Sequence, residues 1–110
     1  MCCCFFLRWN MNCIQCNREF SFKEDCVASI SGSIMGDECT ESFFYCDRCG
    51  VYTKEVFWDC FSGEESASMC GPIPKPDGDG KVALIKRCSE PWNKKCRCET
   101  HLAYFDGSLD

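Results

Sequence analysis

The chain has 110 residues, of which 45% are hydrophobic and 14% aromatic, and its formal net charge is −5. This length fits one domain, and the apolar content is enough for a small core, so a fully disordered chain is excluded. No apolar run approaches the about 18 residues of a membrane-spanning helix.

The fourteen cysteines are the most informative part of the composition. Such a content indicates either a disulfide framework in an oxidising compartment or thiolate–metal sites in a reducing one. The first ten residues, MCCCFFLRWN, lack a charged amino-terminal region and a small-residue cleavage site, so they do not fit a secretory signal. We therefore expect reduced, metal-bound cysteines and a cytoplasmic location.

The chain begins with a predicted tail over residues 1–12, followed by a single domain over residues 13–110. The tail contains Cys2, Cys3 and Cys4, with acylation as an alternative role for these thiols. Within the domain we expect a lobe over 13–70, a loop over the proline- and glycine-rich residues 71–80, and a carboxyl-terminal lobe over 81–110.

The strongest strand signals lie on either side of the motif CDRCG. The segments SFFYC (42–46) and VYTKEVFW (51–58) are rich in aromatic and β-branched residues, which predicts a hairpin with CDRCG as its turn. CVASISG (26–32) is a weaker candidate strand, and KVALIKRC (81–88) is a further one.

Two short helices are predicted between and after these strands. Ser62 followed by Glu65 fits a capping box, so residues 63–69 are expected to form a short helix. The segment ETHLAYF (99–105) is expected to form one helical turn. The predicted fold class is therefore a small β-rich, metal-stabilised domain with one or two short helical turns.

Two C-x-x-C pairs carry the clearest chemical signal. A tetrahedral zinc ion takes four thiolate or imidazole ligands at about 2.0–2.3 Å, and a C-x-x-C pair supplies two if the backbone turns tightly after the second cysteine. Asn17 and Gly50 follow the two pairs, and both residue types tolerate a left-handed backbone. We predict a first site formed by Cys13, Cys16, Cys46 and Cys49, with Cys26 and Cys39 as alternative ligands.

A second group of ligand residues lies in CSEPWNKKCRCETH, residues 88–101. His101 is the only histidine of the chain, and its spacing from the nearby cysteines allows convergence on one ion. We predict a Cys3His zinc site formed by Cys88, Cys96, Cys98 and His101. A third site is a weaker alternative, because Cys60 is expected in the core and Cys70 is undecided.

The segments CIQCN and CDRCG, with the strands around the second, resemble the zinc-ribbon and rubredoxin-like class. In that class, knuckles at the tips of two hairpins clamp one metal ion. The resemblance covers these segments only, and the chain departs from the pattern by having residues 17–45 between the pairs. It implies zinc-ribbon-like hairpins and a structural metal, with zinc favoured and iron as the alternative.

The predicted function is that of a structural zinc protein, with two zinc ions, acting as a non-catalytic binding or adaptor module for protein partners. The ligand sets are rich in thiolates and leave no further histidine to act as a base, which argues against an enzyme. One alternative is an iron–thiolate electron carrier or a thiol redox protein. Another is nucleic-acid binding through segment 86–97, although the sequence pI is near 4.8. The residues for that second alternative would be Lys86, Arg87, Trp92, Lys94, Lys95 and Arg97.

Overall fold

The computed structural model of the protein describes residues 11–110, with the exception of the Phe22 side chain. Antiparallel strands dominate it, which confirms a small β-rich fold. In chain order the elements are β1 (Met11–Asn12), β2 (Glu19–Phe20), α1 (Phe22–Asp25), β3 (Cys26–Ile34), β4 (Asp37–Cys46), β5 (Val51–Asp59), β6 (Glu65–Pro74), α2 (Lys75–Lys86) and α3 (Glu99–Phe105).

The main sheet is a four-stranded antiparallel meander in the order β3-β4-β5-β6, and β1 and β2 form a separate two-stranded ribbon. Strands β4 and β5 are the predicted hairpin, and their last pair is Cys46 with Val51. The weaker strand prediction over residues 26–32 is also confirmed, because β3 covers it. The CDRCG motif therefore lies at one end of the sheet, as a hairpin turn.

The turn between β3 and β4 lies at the opposite end of the sheet. Its two residues, Met35 and Gly36, have φ angles of 52° and 86°, the backbone that a two-residue hairpin requires. The Asp110 carboxylate accepts hydrogen bonds from both of their backbone N–H groups and from the Ser33 hydroxyl. The last described residues of the chain are thereby fastened to this turn.

One face of the sheet packs against α2 and α3. Side chains alternate between the two faces of a strand, so Cys39 and Phe43 of β4 point to the helices together with Tyr52 of β5. The Tyr52 hydroxyl donates to Asp79 of α2 over 2.6 Å. This core consists of Ala28, Ile30, Cys39, Phe43, Tyr52, Val82, Ile85, Tyr104 and Phe105.

A second apolar cluster joins the β1–β2 ribbon to the end of β4. The rings of Phe20 and Phe44 stack with their centroids 5.5 Å apart. The same cluster contains Met11 and the buried thiols of Cys13 and Cys46. The packing of aromatic side chains therefore brings the two C-x-x-C segments together.

The predictions of a loop over residues 71–80 and of a strand over 81–88 are wrong, because residues 71–74 form the end of β6 and α2 covers residues 75–86. Pro76 lies in the first turn of α2, where its missing N–H costs no hydrogen bond. Gly78 packs against the Tyr52 ring, which leaves no room for a side chain. Packing on the sheet thus favours a helix in a segment whose composition indicates a loop.

The predicted helix over residues 63–69 is also wrong, because β6 covers most of it. From Glu65 onwards this segment pairs with β5, for example Ser66 with Trp58. The capping-box pattern is local, whereas β5 offers a full row of backbone hydrogen bonds. The prediction for 99–105 is confirmed as helical, and α3 has seven residues.

The predicted tail needs a shorter boundary, because Met11 and Asn12 form β1 and pair with Phe20 and Glu19. The rest of that prediction, including Cys2, Cys3 and Cys4, lies outside the described residues. The organisation of residues 13–110 as a single domain stays a prediction.

Candidate metal centres

The first C-x-x-C segment forms a tight turn between β1 and β2. The Asn17 N–H donates to the Cys13 carbonyl over 2.8 Å, and Asn17 has a φ of 67°. The backbone N–H groups of Gln15 and Cys16 point at the Cys13 sulfur, at 3.4 and 3.5 Å. The Ile14 N–H donates to the Thr53 hydroxyl of β5 over 3.0 Å, which holds the turn on the main sheet.

The second C-x-x-C segment repeats this geometry at the turn between β4 and β5. The Gly50 N–H donates to the Cys46 carbonyl over 2.8 Å, and Gly50 has a φ of 69°. The positive φ predicted after each pair is therefore confirmed at both Asn17 and Gly50. Each turn directs two thiols to the same side of the backbone.

The two turns bring their four thiols into one group. The Cys13 and Cys49 sulfur atoms lie 4.0 Å apart, and those of Cys16 and Cys46 lie 3.7 Å apart. Around a tetrahedral zinc ion with Zn–S bonds of about 2.3 Å, neighbouring sulfur atoms lie about 3.8 Å apart. A disulfide would require about 2.05 Å, and Cys13, Cys16, Cys46 and Cys49 are free thiols. This group, which we call the Cys4 group, could therefore hold a metal ion.

The thiols of the Cys4 group differ in acidity. Burial raises the pKa of Cys46, but hydrogen bonds from the Cys49 N–H and the Arg18 guanidinium outweigh it and lower the pKa to about 6. The hydrogen bond with Cys16, together with burial, raises the pKa of Cys49 to about 12. Clustered thiols resist simultaneous ionisation because like charges repel, and a bound cation would remove that repulsion.

Arg18 provides a positive charge beside the Cys4 group. Its guanidinium lies 4.9 Å from the centroid of the Phe20 ring and 4.0 Å from the Asp47 carboxylate. The hydrogen bond with Cys46 raises the pKa of Arg18. No sequence motif indicates Arg18, because only the folded ribbon brings it against the thiols.

The second group forms between the end of α2 and the start of α3. Cys88 follows the last turn of α2, and its N–H donates to the Ile85 carbonyl over 3.1 Å. Cys98 is the N-cap of α3, and its sulfur accepts from the His101 N–H over 3.5 Å. A thiol in this position satisfies one of the free N–H groups at the helix start and points toward the histidine ring.

The donor atoms of this group also have tetrahedral spacing. The Cys88 sulfur lies 3.9 Å from that of Cys96 and 3.5 Å from that of Cys98. The His101 Nδ1 atom lies 3.4 Å from the Cys88 sulfur and 3.5 Å from the Cys98 sulfur. For a tetrahedral zinc ion the expected N···S separation is about 3.5 Å. This Cys3His group could therefore hold a second ion.

The orientation of the His101 ring is set by the sheet. Its Nε2 atom lies 3.0 Å from the Ser31 carbonyl oxygen, so Nε2 carries the proton and donates. The Nδ1 lone pair is then free to face the thiols, as a metal ligand requires. The side chain has no exposed surface. No local signal in the sequence indicates Ser31, which lies on a distant strand.

Two thiols of the Cys3His group, those of Cys98 and Cys88, also differ in pKa. The hydrogen bond from the His101 backbone N–H outweighs burial and lowers the pKa of Cys98 to about 6. Burial raises the pKa of Cys88 to about 11, although the Glu90 N–H acts against it. Cys98 is therefore the thiol of this pair that ionises more readily.

The structure leaves the alternative ligands Cys26 and Cys39 outside both groups. Cys39 is 2% exposed in the core under the helices, and burial raises its pKa to about 12. Cys26 is half-buried, and its thiol donates to the Ala28 carbonyl over 3.6 Å. Among residues 11–110 no third group forms, and Cys60 and Cys70 belong to neither of the two.

The basic segment 86–97 is partly engaged in the fold. The Arg97 guanidinium donates to the backbone carbonyls of Lys94, Cys96 and Asp110. The Lys94 ammonium lies 3.9 Å from the Glu38 carboxylate. Trp92 is 67% exposed. Arg97 therefore holds the loop around the Cys3His group, which reduces the cationic surface available to an anionic partner.

Comparison with known proteins gave no match, whether against family models, curated proteins or solved structures. Within the described part of the chain, every helix falls short of the length and apolar character needed to cross a membrane. The protein can therefore be classified only by its fold and by the chemistry of its two donor groups. The protein is β-rich and carries two four-donor groups that are able to bind metal.

Proposed function

We propose that the protein binds two structural zinc ions, one in the Cys4 group and one in the Cys3His group. The observation that supports this most directly is the donor spacing, with S···S separations of 3.5–4.0 Å and N···S separations of 3.4–3.5 Å. Both ranges match a tetrahedral ion of zinc size. Zinc would supply the cation that the crowded thiolates need.

A structural role fits both groups better than a catalytic one. Each group offers four protein donors, which fill a tetrahedron and leave no position for water or substrate. The single histidine is oriented as a ligand by Ser31, so it is not available as a base. Structural zinc contributes about 10–16 kcal/mol of apparent binding energy, comparable to the stability of a whole small domain.

Zinc is proposed rather than iron because the Cys3His group is closed and includes an imidazole. Iron in the Cys4 group, as in an electron carrier, is the second candidate, since four thiolates suit both metals. A reducing compartment, with a cytoplasmic location, is part of the proposal. Free thiols at 3.5–4.0 Å would be maintained there, whereas oxidation would compete with metal binding.

The first test measures metal by elemental mass spectrometry on protein purified without added metal, together with a free-thiol count. We expect two zinc ions per chain. The variants Cys49→Ser and Cys98→Ser should each lose one ion, whereas Cys70→Ser should retain two. One iron ion per chain would instead favour a role of the Cys4 group in electron transfer. Absence of metal with few free thiols would refute the proposal.

At the level of the whole protein, we propose a binding module for a protein partner, stabilised by the two ions. Nucleic-acid binding through segment 86–97 has less support, because Arg97 and Lys94 are engaged within the fold. A mobility-shift experiment at low salt with RNA and DNA distinguishes the two. A salt-sensitive shift that Lys95→Glu abolishes would favour nucleic acid.

A further inference from the structure

Strand β6 is an open edge of the main sheet. It pairs with β5 on one side, and no described residue pairs with its other side. The opposite edge of the sheet is different, because Ser31 of β3 donates to the Pro91 carbonyl over 2.8 Å and accepts from His101. The sheet therefore offers one long row of outward backbone groups in its described part, along β6.

The first half of this open edge lacks the usual protection against pairing. Edge strands are commonly blunted by charged side chains, prolines or bulges. In β6 the prolines and the register shift lie in its second half, after Cys70. The first half carries no charge between Glu65 and the prolines, and residues 65–72 are exposed. Unprotected backbone groups of this kind are a template for another strand.

We propose that β6 is an interface between two copies of this chain, which pair antiparallel along it. This inference goes beyond the metal sites and does not depend on them. The four strands of each copy would then form one continuous eight-stranded sheet. Because the β3 edge is occupied by Pro91 and His101, the pairing closes at a dimer instead of propagating.

The alternation of side chains restricts the register of this pairing. Residues directly opposite each other in an antiparallel pair point to the same face of the sheet. In a symmetric pair of identical strands, opposite residues must therefore both have even numbers or both have odd numbers, and the two-fold axis lies beside a residue that faces its own copy. With the axis at Ser68, the uncharged residues 66–70 of one copy lie opposite the same residues of the second copy. It places Ser66 opposite Cys70 of the second copy, and Ala67 opposite Met69 of the second copy.

Charge and side-chain size favour a second copy over an unrelated peptide. In this register the two Glu65 carboxylates lie at opposite ends of the ladder, about 20 Å apart at 3.3 Å per residue. That exceeds the Debye length of about 8 Å at physiological salt, so these two carboxylates repel each other little. A peptide ligand would need side-chain pockets for specificity, and the short, exposed side chains of Ser66, Ala67 and Ser68 are poorly suited to line one.

Apolar surface continues from the ladder into the preceding turn. Phe61 is 93% exposed and Met69 is 46% exposed. The Phe61 N–H donates to the Asp37 carboxylate over 2.9 Å, so the turn is held in place before association. In an antiparallel pair this turn extends beside the second half of β6 in the other copy. A short strand ladder is typical of the small interfaces below about 1,200 Å² that form weak complexes, so we expect a concentration-dependent dimer.

The test is sedimentation equilibrium of the purified protein across the micromolar range, with amide hydrogen exchange at β6. We expect a dimer at high concentration, with slower exchange in residues 65–70. Ser68→Lys should shift the protein to monomer, because two lysines would meet at the axis. The matched control is Ser108→Lys, another exposed serine, which should remain dimeric. Circular dichroism verifies that both variants fold.

A cross-linking experiment tests the register. Ser66→Cys should give a disulfide-linked dimer under oxidised glutathione, through Cys70 of the second copy, and Cys70→Ser in that background should abolish it. A wild-type monomer at all concentrations would overturn the proposal. A dimer that persists unchanged in Ser68→Lys would also overturn it, because association would then use another surface.

Discussion

The Nε2 atom of His101 and the carbonyl oxygen of Ser31 lie 3.0 Å apart, and this hydrogen bond joins the Cys3His group to the outer edge of β3. The bond fixes which ring nitrogen faces the thiols. It also uses a backbone acceptor that would otherwise be open on an edge strand. The sheet and the carboxyl-terminal ligands are therefore linked through one imidazole.

Replacing this imidazole should affect both metal and stability. We expect His101→Ala to bind one zinc ion fewer than the parent protein. The buried Ser31 carbonyl loses its donor, which costs about 1–3 kcal/mol in addition to the lost ion. Elemental analysis and chemical denaturation measure the two effects. Glu99→Gln, an exposed change on the same helix, serves as the control, and an unchanged metal count in His101→Ala would contradict the ligand assignment.

The difference between a core cysteine and a proposed ligand cysteine can be measured directly. Cys39→Ala should retain both ions and lower the free energy of unfolding by about 1 kcal/mol, as is usual for a point substitution. Cys49→Ala should lose one ion. The metal content of each purified variant shows whether its cysteine is a ligand. Loss of an ion from Cys39→Ala would return Cys39 to the list of ligands.

Two glycines of α2 should respond in opposite directions to alanine. A Cβ atom at Gly78 would overlap the Tyr52 ring, so Gly78→Ala should destabilise the protein by about 1–3 kcal/mol. A Cβ atom at Gly80 has no neighbour within 4 Å. Gly80→Ala should therefore stabilise the helix by about 0.5–1 kcal/mol. Urea denaturation compares the two, and equal effects would mean that α2 does not pack on Tyr52 as described.

Asp110 should give a pH-dependent contribution to stability. Hydrogen bonds from the Gly36 N–H, the Ser33 hydroxyl and the Met35 N–H lower its pKa. Because the pKa is lower in the folded state, this stabilisation is fully present above the unfolded-state pKa of about 3.9. It is lost as the pH falls through the folded-state pKa.

We therefore expect Asp110→Asn to lower the melting temperature at pH 7, and the difference from the parent protein to shrink below about pH 4. Calorimetry over that range measures the difference. Asp106→Asn is the matched control, because Asp106 has a left-handed φ of 50° that asparagine also accepts. A difference between Asp110→Asn and the parent that is independent of pH would argue against the carboxylate hydrogen bonds.

The parts predicted well from sequence are those governed by neighbouring residues. The turns after Cys16 and Cys49 follow from Asn17 and Gly50, which accept a positive φ wherever they occur. The β4–β5 hairpin follows from its aromatic and β-branched content. Ligand spacing within each short motif also follows from local chain geometry. These features need no knowledge of the rest of the fold.

The parts predicted wrongly depend on distant contacts. Residues 75–86 contain proline and two glycines, yet they form α2 because Gly78 fits against Tyr52 of β5. Residues 65–69 form a strand because β5 has a free edge to pair with. Only folding brings Ser31 to the Cys3His group and Arg18 to the Cys4 group. Local propensity is a weak prior when packing favours another structure.

The two donor groups span very different lengths of chain. The Cys3His donors lie within residues 88–101, so an unfolded chain could already gather them around the proposed ion. The Cys4 ligands span residues 13–49, and closing that loop encloses β3 and most of β4. An ion that also binds the unfolded chain stabilises the fold less. With metal bound as proposed, the Cys4 group would be the one that couples metal supply to the cooperative folding of the sheet, while the Cys3His group would stabilise only its own short segment.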